Sequence, residues 1–275
     1  MRPIGLHVRM ERGLEDVINK VEQYSLSSVQ FFSCLRGQKG IITVPDDILA
    51  QFHAIAQKYL SQIYIHSSYT INLGNFRSQH VDYFAQECMY ARKCGATHVI
   101  VHPGSYRDKK EGMRSLVQSL NHILSNLDEG ITIVLENTAH KSRTLGSDIT
   151  DFIEILLQVK ESDRLAFCID TAHAHGFGYD FSTIDLCEQF VHFLATTIGT
   201  DRIAMLHLND AHHERGSCHD YHAMPGAGKI GNAALYALAF HPLLQTVPLL
   251  LELPNSSCAQ EYQALRLVRE WHGIV

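Results

Sequence analysis

The sequence is short of several things, and each shortage removes a class of protein. No apolar run approaches the roughly 20 residues that a membrane helix needs; the longest lies around Val247 to Leu253. Met1-Arg2-Pro3 passes straight into strand-like Ile4-Gly5-Leu6-His7-Val8, so neither a secretory leader nor a membrane partner is expected. The seven cysteines, at 34, 88, 94, 168, 187, 218 and 258, are odd in number and never form C-x-x-C. That pattern speaks against a disulfide framework and a thiolate zinc site, and for a reducing, cytoplasmic setting. No G-x-G-x-x-G or G-x-x-x-x-G-K-[ST] loop follows a strand-like run, which disfavours nucleotide binding. With no low-complexity tract, charge block or linker, residues 1–275 read as one domain. Positive charge is also scarce: 23 Lys and Arg face 29 Asp and Glu, a formal net charge of −6, which by itself counts against a phosphate-rich partner.

What is present is a repeating pattern in a chain that is 45% hydrophobic and long enough to bury a large core. Eight short apolar runs alternate with longer amphipathic stretches. The runs lie at Ile4 to Val8, Ser28 to Phe32, Ile63 to His66, His98 to His102, Ile131 to Glu136, Leu165 to Asp170, Ile203 to Leu208 and Val247 to Glu252. Between them Val81 to Lys93, Met113 to Leu127, Ile149 to Lys160 and Ala233 to Leu244 carry apolar residues at three- and four-residue steps, the helical signature. Eight such units predict an α/β fold, a single (β/α)₈ TIM barrel, ahead of an open doubly wound sheet.

Six of the eight runs stop at a metal-ligand residue type: His66, His102, Glu136, Asp170, His207 and Glu252. In a barrel the C-terminal strand ends converge on one face, so these side chains are expected to share one cavity there. Without cations, such a gathering of carboxylates and imidazoles is electrostatically costly; divalent ions remove that cost and favour oxygen and nitrogen donors. His173, three residues beyond Asp170, and the alternating pair Asp220 and His222 enlarge the set, since an extended D-x-H can direct both side chains to one ion. Three other groups of histidines carry less. His53, His80, His122 and His192 fall in helix-like stretches and read as ordinary imidazoles; His7 is placed to support the cluster from behind; His212, His213 and His219 share the loop of His222.

The ordered motifs resemble a known family. They are Ile4-Gly5-Leu6-His7-Val8, His66-x-Ser68-Tyr69-x-Ile71-Asn72-Leu73-Gly74, His102-Pro103-Gly104-Ser105, Glu136-Asn137-Thr138-Ala139, Cys168-Ile169-Asp170-Thr171-x-His173-Ala174, His207-Leu208-Asn209-Asp210 and Gly226-x-Gly228-x-Ile230-Gly231. Together with Leu251-Glu252 they are similar to the endonuclease IV (deoxyribonuclease IV) type of apurinic/apyrimidinic endonuclease, AP endonuclease family 2, over nearly the whole chain. The resemblance implies three zinc ions, with manganese an option at one or more sites. One would be held by His66, His102 and a bridging Glu136, a second by Glu136, Asp170, His207 and Glu252, and a third by His173, Asp220 and His222. It also implies hydrolysis of DNA 5′ to abasic sites, leaving a 3′-hydroxyl, by a monomer acting in base excision repair. Glu136 is then the residue expected to orient the attacking hydroxide, with Glu252 second, and Arg36, Tyr69 and Lys229 are expected to contact DNA.

Three divalent ions would add six positive charges to the formal −6, which answers the charge objection at the barrel mouth. Arg9, Arg36, Lys39, Arg107, Lys109, Lys110, Lys141, Arg143, Arg215 and Lys229 supply further basic loop positions. The chain departs from the family in its DNA-facing loops: Val8 to Gly13, Phe32 to Lys39, Thr70 after Tyr69, His140-Lys141-Ser142, and Ala227 within the G-x-G motif. These departures leave the ligand positions intact and alter the surface on which recognition of an abasic site would depend. The competing expectation is a divalent-metal-dependent sugar isomerase or epimerase built on Glu136, Asp170, His207 and Glu252, which would have no use for the third group.

Overall fold

The computed structural model describes residues 2–35, 40–127, 129–141, 143–271 and 273. The strands in chain order are β1 (Ile4–Val8), β2 (Ser28–Phe32), β3 (Gln62–His66), β4 (His98–Val101), β5 (Thr132–Glu136), β6 (Leu165–Asp170), β7 (Ile203–His207), β8 (Asp210–Ala211), β9 (His222–Ala223) and β10 (Leu249–Leu251). All but β8 and β9 close into a parallel barrel, in the order β1-β10-β7-β6-β5-β4-β3-β2. β8 and β9 form a small antiparallel ladder, with Asp210 opposite Ala223 and Ala211 opposite His222. The expected (β/α)₈ barrel is thus the observed one.

Strand side chains alternate between two faces, and the two faces build two separate cores. Residues such as Phe31, Ile65, Val99, Ile133, Leu135, Phe167, Leu206 and Leu251 point outward and join the large apolar layer beneath the helices. The inward set, Tyr64, Ile100, Val134, Cys168, Met205 and Leu250, forms its own buried cluster that plugs the barrel. Within it the Tyr64 hydroxyl reaches across to donate to the Ala204 carbonyl, at 3.4 Å.

The helices follow from capping as well as periodicity. Lys109–Asn126 begins where the Asp108 carboxylate accepts the Glu111 N–H at 2.9 Å, and Ile184–Thr197 where the Thr183 hydroxyl accepts that of Leu186 at 3.2 Å. The stretch expected from Ala233 to Leu244 is a helix only over Gly231–Phe240. Pro242 has no N–H and disfavours helical geometry in His241, so the chain breaks there and resumes as a short 3₁₀ turn, Pro242–Leu244. A helix that periodicity did not announce, Thr171–Phe177, starts on the last residue of β6: Asp170 caps it by accepting the His173 N–H at 2.8 Å. Among the described residues no helix is long and apolar enough to cross a membrane.

Phe167 of β6 packs on helix Asp151–Gln158, stacked on Phe152 with ring centroids 4.4 Å apart and 18° between planes. Phe167→Ala should lower the unfolding free energy by about 3–5 kcal/mol in urea titration. Because its side chain faces away from the barrel interior, the folded fraction should keep the full metal content of the parent protein.

Candidate metal centre

The site is the next layer above the plug. Each of six strands places a plug residue and, two residues later on the same face, a polar one. The pairs are Tyr64 and His66, Ile100 and His102, Val134 and Glu136, Cys168 and Asp170, Met205 and His207, and Leu250 and Glu252. His102 and Glu252 stand one residue beyond β4 and β10; the other four end their strands. The remaining strands contribute at the same level. His7 of β1 is in register with Gln30 of β2.

Glu136 is the hub and is fully buried. Its Oε2 lies 3.1 Å from His66 Nε2 and 3.2 Å from His102 Nε2, while Oε1 lies 3.0 Å from His207 Nδ1. Donor atoms of Glu136, Asp170, His207 and Glu252 all lie within 4.8 Å of one another, as do those of His66, His102 and Glu136. On the other side of Asp170, His173 Nε2 is 3.0 Å and His222 Nε2 3.3 Å from the same oxygen, Asp220 Oδ1. Asp170 borders this third group too, with Oδ2 at 3.7 Å from His222 Nε2. All nine residues singled out in the sequence as ligands therefore gather in one contiguous cluster at the C-terminal ends of the strands.

The tautomers carry the chemical argument. A carbonyl only accepts, so a ring nitrogen bonded to one must carry the proton. His66 Nδ1 is 2.7 Å from the Ser67 carbonyl, His173 Nδ1 2.8 Å from that of Asn137, and His222 Nδ1 2.9 Å from that of Glu252. Gln30 does the same for His207, its Oε1 2.9 Å from Nε2, because the Gln30 amide nitrogen is committed to Glu252 Oε1 at 2.6 Å. In all four neutral rings the other nitrogen then aims a lone pair at a carboxylate oxygen. Lone pair against lone pair is repulsive; a cation between them, or a second proton on each ring, is required. His173 Nε2 and His222 Nε2 are sealed from solvent and lack a hydrogen-bond partner among the described residues, as donors reserved for an ion would be.

Further groups hold these side chains in place, and sequence reading passed over most of them. The Asn209 amide donates to Asp170 Oδ2 at 2.6 Å and its oxygen accepts the Glu252 N–H at 2.8 Å. Asn137 exchanges two hydrogen bonds with the backbone of Asp170. His7 Nδ1 lies 3.0 Å from Glu252 Oε1, so Glu252 is supported by β1, β2 and the residues just after β7 together. Gln30 had a legible signal: Ser28 and Gln30 are polar at alternate positions of an otherwise apolar strand, in phase with the barrel interior.

Two buried carboxylates order the surrounding loops. Glu87 accepts from Ser33 Oγ at 2.6 Å, Ser67 Oγ at 2.5 Å and Ser68 N at 2.9 Å, joining the loops that follow β2 and β3. Asp210 accepts the N–H groups of Gly226, Gly228 and Ile230 at 2.9–3.0 Å, which explains the G-x-G motif. A Cβ on Gly228 would fall 2.4 Å from Asp210 Oδ1, so only glycine allows this approach.

Tyr69 is 68% exposed and stands over the rings of Phe32, His66 and His102 at 5.2–5.6 Å. Beside it a cavity of about 400 Å³ opens between Asn72, His102, Ser105, Thr138, His173 and Asp220. Arg36 and Lys39 lie outside the described residues. Lys229 is exposed, its ammonium 2.6 Å from Glu214, and Lys109 and Arg215 pair with Asp151 and Asp180, each at 2.7 Å. Several of the basic loop positions are thus already engaged within the chain.

Charge in the metal-free cluster favours protonated rings. Burial pushes the His222 imidazole down, but Asp170, Asp220 and Glu252 outweigh it and hold its pKa up, at about 9. For His173 burial is likewise outweighed, by Asp170 and Asp220, and its pKa rises well above the usual value. A raised imidazole pKa adds stability that is fully present below the unfolded value, 6.5, and is lost as pH rises through the folded value. Chelator-stripped protein should therefore lose thermal stability as pH is raised from 6.5 to about 9. Metallated protein should not, since an ion replaces the protons. Calorimetry of the two forms should show a widening gap in Tm; a gap that narrows would mean that cations do not occupy this cluster.

Comparison with known proteins identifies the fold and the family. A family model described as a xylose isomerase-like TIM barrel matches residues 18–271. A probable endonuclease 4 of Thermoplasma acidophilum is 34% identical over 257 residues, 91% of this chain and 88% of that one. The corresponding protein of Buchnera aphidicola subsp. Baizongia pistaciae is 30% identical, covering 93% and 95%. Among solved structures, endonuclease IV from Thermus thermophilus superposes with a TM-score of 0.85 at 24% identity, covering 99% of this chain and 100% of that one. A D-tagatose 3-epimerase-like protein shares the fold at a TM-score of 0.73 and 19% identity, covering 99% and 98%. The matched length, the identities and the shared barrel together show that this chain belongs to the endonuclease IV family of xylose isomerase-like TIM barrels.

Proposed function

We propose that the protein is a divalent-metal-dependent endonuclease that hydrolyses double-stranded DNA 5′ to abasic sites and leaves a 3′-hydroxyl. The observation that carries this reading is the set of four imidazoles whose tautomers turn lone pairs toward Glu136, Asp170, Asp220 and Glu252 in one cluster at the barrel mouth. Nitrogen and carboxylate donors without a cysteine thiolate suit zinc, with manganese the alternative. Three groups share the mouth: His66, His102 and Glu136; Glu136, Asp170, His207 and Glu252; and His173, Asp220 and His222. Bound divalent ions there would supply Lewis acidity to a phosphodiester and a water acidic enough to react near neutral pH.

The chain's own residues then have distinct roles. Glu136 presents one oxygen to each of the first two groups, so it is placed to orient the nucleophile between them. Glu252 has one oxygen engaged by His7 and Gln30 and the other 3.5 Å from His207 Nδ1, which makes it the second candidate. The cavity beside His102, His173 and Asp220 is large enough for an extruded deoxyribose phosphate, with Tyr69 at its rim to stand against the opened duplex. A sugar epimerase would need the second group alone; the adjoining His173, Asp220 and His222 favour the nuclease.

Purified protein should carry close to three divalent ions per chain, zinc prominent, and should nick a duplex containing one abasic site. Elemental analysis showing a single ion, with turnover of a ketose, would support the epimerase instead. Glu136→Gln should stay folded yet lose nearly all cleavage; near-normal turnover by the fully metallated variant would remove Glu136 from the mechanism.

Tyr69→Ala should leave metal content unchanged and reduce the preference for abasic over undamaged duplex by about tenfold, within the ~1–3 kcal/mol range of a stacking contact. Phosphate contacts are sequence-independent and salt-sensitive, so both affinities must be measured at one salt concentration. An unchanged ratio would move discrimination from Tyr69 to the cavity.

A further inference from the structure

On the outer helical layer, apart from the barrel cluster, three metal-ligand side chains meet. Helix Ile184–Thr197 presents Glu188 and His192 one turn apart, and His241 follows helix Gly231–Phe240. His241 Nε2 lies 3.4 Å from Glu188 Oε1, His192 Nε2 lies 3.9 Å from that oxygen, and the three donor atoms fall within 4.8 Å of one another. Ligand atoms bound tetrahedrally to zinc at ~2.0–2.1 Å stand roughly 3.3 Å apart, so only small side-chain adjustments are needed to enclose an ion.

We propose that Glu188, His192 and His241 form an additional divalent metal site of the zinc type, with solvent completing the coordination. Two nitrogens and one carboxylate oxygen suit zinc, and the i, i+4 spacing on a helix lets both side chains reach one ion. A surface ion pair would account for Glu188 and His192, whose side chains are 55% and 62% exposed. It does not account for His241. That ring is buried, and its Nε2 is sealed from solvent with no hydrogen-bond partner among the described residues. The Leu243 N–H donates to His241 Nδ1 at 3.2 Å, which puts the proton of the metal-free ring on Nε2, where it faces Glu188 Oε1 at 3.4 Å, too long for a good hydrogen bond. Binding at Nε2 moves that proton to Nδ1, where it would oppose the Leu243 N–H, so the ring must turn away from that donor as the ion binds; the imidazole stays neutral and loses no proton overall. The ion would tie helix Ile184–Thr197 to the turn that leads into β10. The inference is independent of what the barrel cluster catalyses.

The test compares the metallated wild-type protein with a Glu188→Ala/His192→Ala double variant, both altered positions being exposed. Equilibrium dialysis at equal free zinc, followed by elemental analysis, should find one zinc ion fewer per chain in the variant, with unchanged nuclease rate. In parallel, ¹⁵N NMR should show the His241 ring passing from the Nε2–H to the Nδ1–H tautomer as zinc is added to the wild type, and no such change in the variant. Equal zinc content in the two proteins overturns the site. So does a difference in content without the tautomer change, because His241 would then not be a ligand.

Discussion

The structure is organised around an electrostatic conflict at the barrel mouth. Four carboxylates, of Glu136, Asp170, Asp220 and Glu252, meet imidazole nitrogens that backbone carbonyls and Gln30 hold in the lone-pair-bearing state. Carboxylates this close repel one another, and the rings cannot relieve them as neutral donors. Cations resolve the conflict, and so, less well, do extra protons, which is why imidazole pKa values rise in the metal-free state. The hydrogen bonds from Asn137, Asn209, His7 and Gln30 hold the donors in position for an ion rather than letting them rotate toward water.

A parallel barrel suits such a cluster because its strands end together. The plug of Tyr64, Ile100, Val134, Cys168, Met205 and Leu250 fixes the height of the layer above it, and the two-residue period of those six strands supplies one candidate ligand each at that height. Burial of the apolar surfaces beneath the helices, at roughly 25 cal/mol per Å², supplies the stability against which the polar layer is held. The same separation of layers lets the loops vary. Glu87 and Asp210 are buried acceptors that organise the loops after β2, β3 and β7 without touching the proposed ions, so loop sequence can change while the metal layer stays in register.

Membership of the endonuclease IV family and the proposed cleavage of abasic DNA fit a chain with a formal charge of −6 only if positive charge is concentrated at the mouth. The structure adds to that requirement, since Lys109, Arg215 and Lys229 are already paired with Asp151, Asp180 and Glu214. The local field at the cavity would then come mainly from bound ions. Tyr69, exposed above His66 and His102, offers a large aromatic surface at that rim.

The eight-unit barrel and six of the candidate ligands were readable from local rules, a strand's two-residue period, a helix's 3.6-residue period and strands that stop at His, Glu or Asp, whereas His173, Asp220 and His222 stood out through their motifs and the family resemblance. What only the tertiary structure decided depends on contacts between distant segments. Gln30 selects the His207 tautomer across 177 residues, and Glu87 joins Ser33 to Ser67 and Ser68. The end of one helix before Pro242 and the start of another at Asp170 were set by backbone hydrogen-bonding limits that periodicity does not see. His192 reads in sequence as an ordinary exposed imidazole on a helix. It gains its proposed ligand role only because folding carries His241, 49 positions further along, to the same carboxylate.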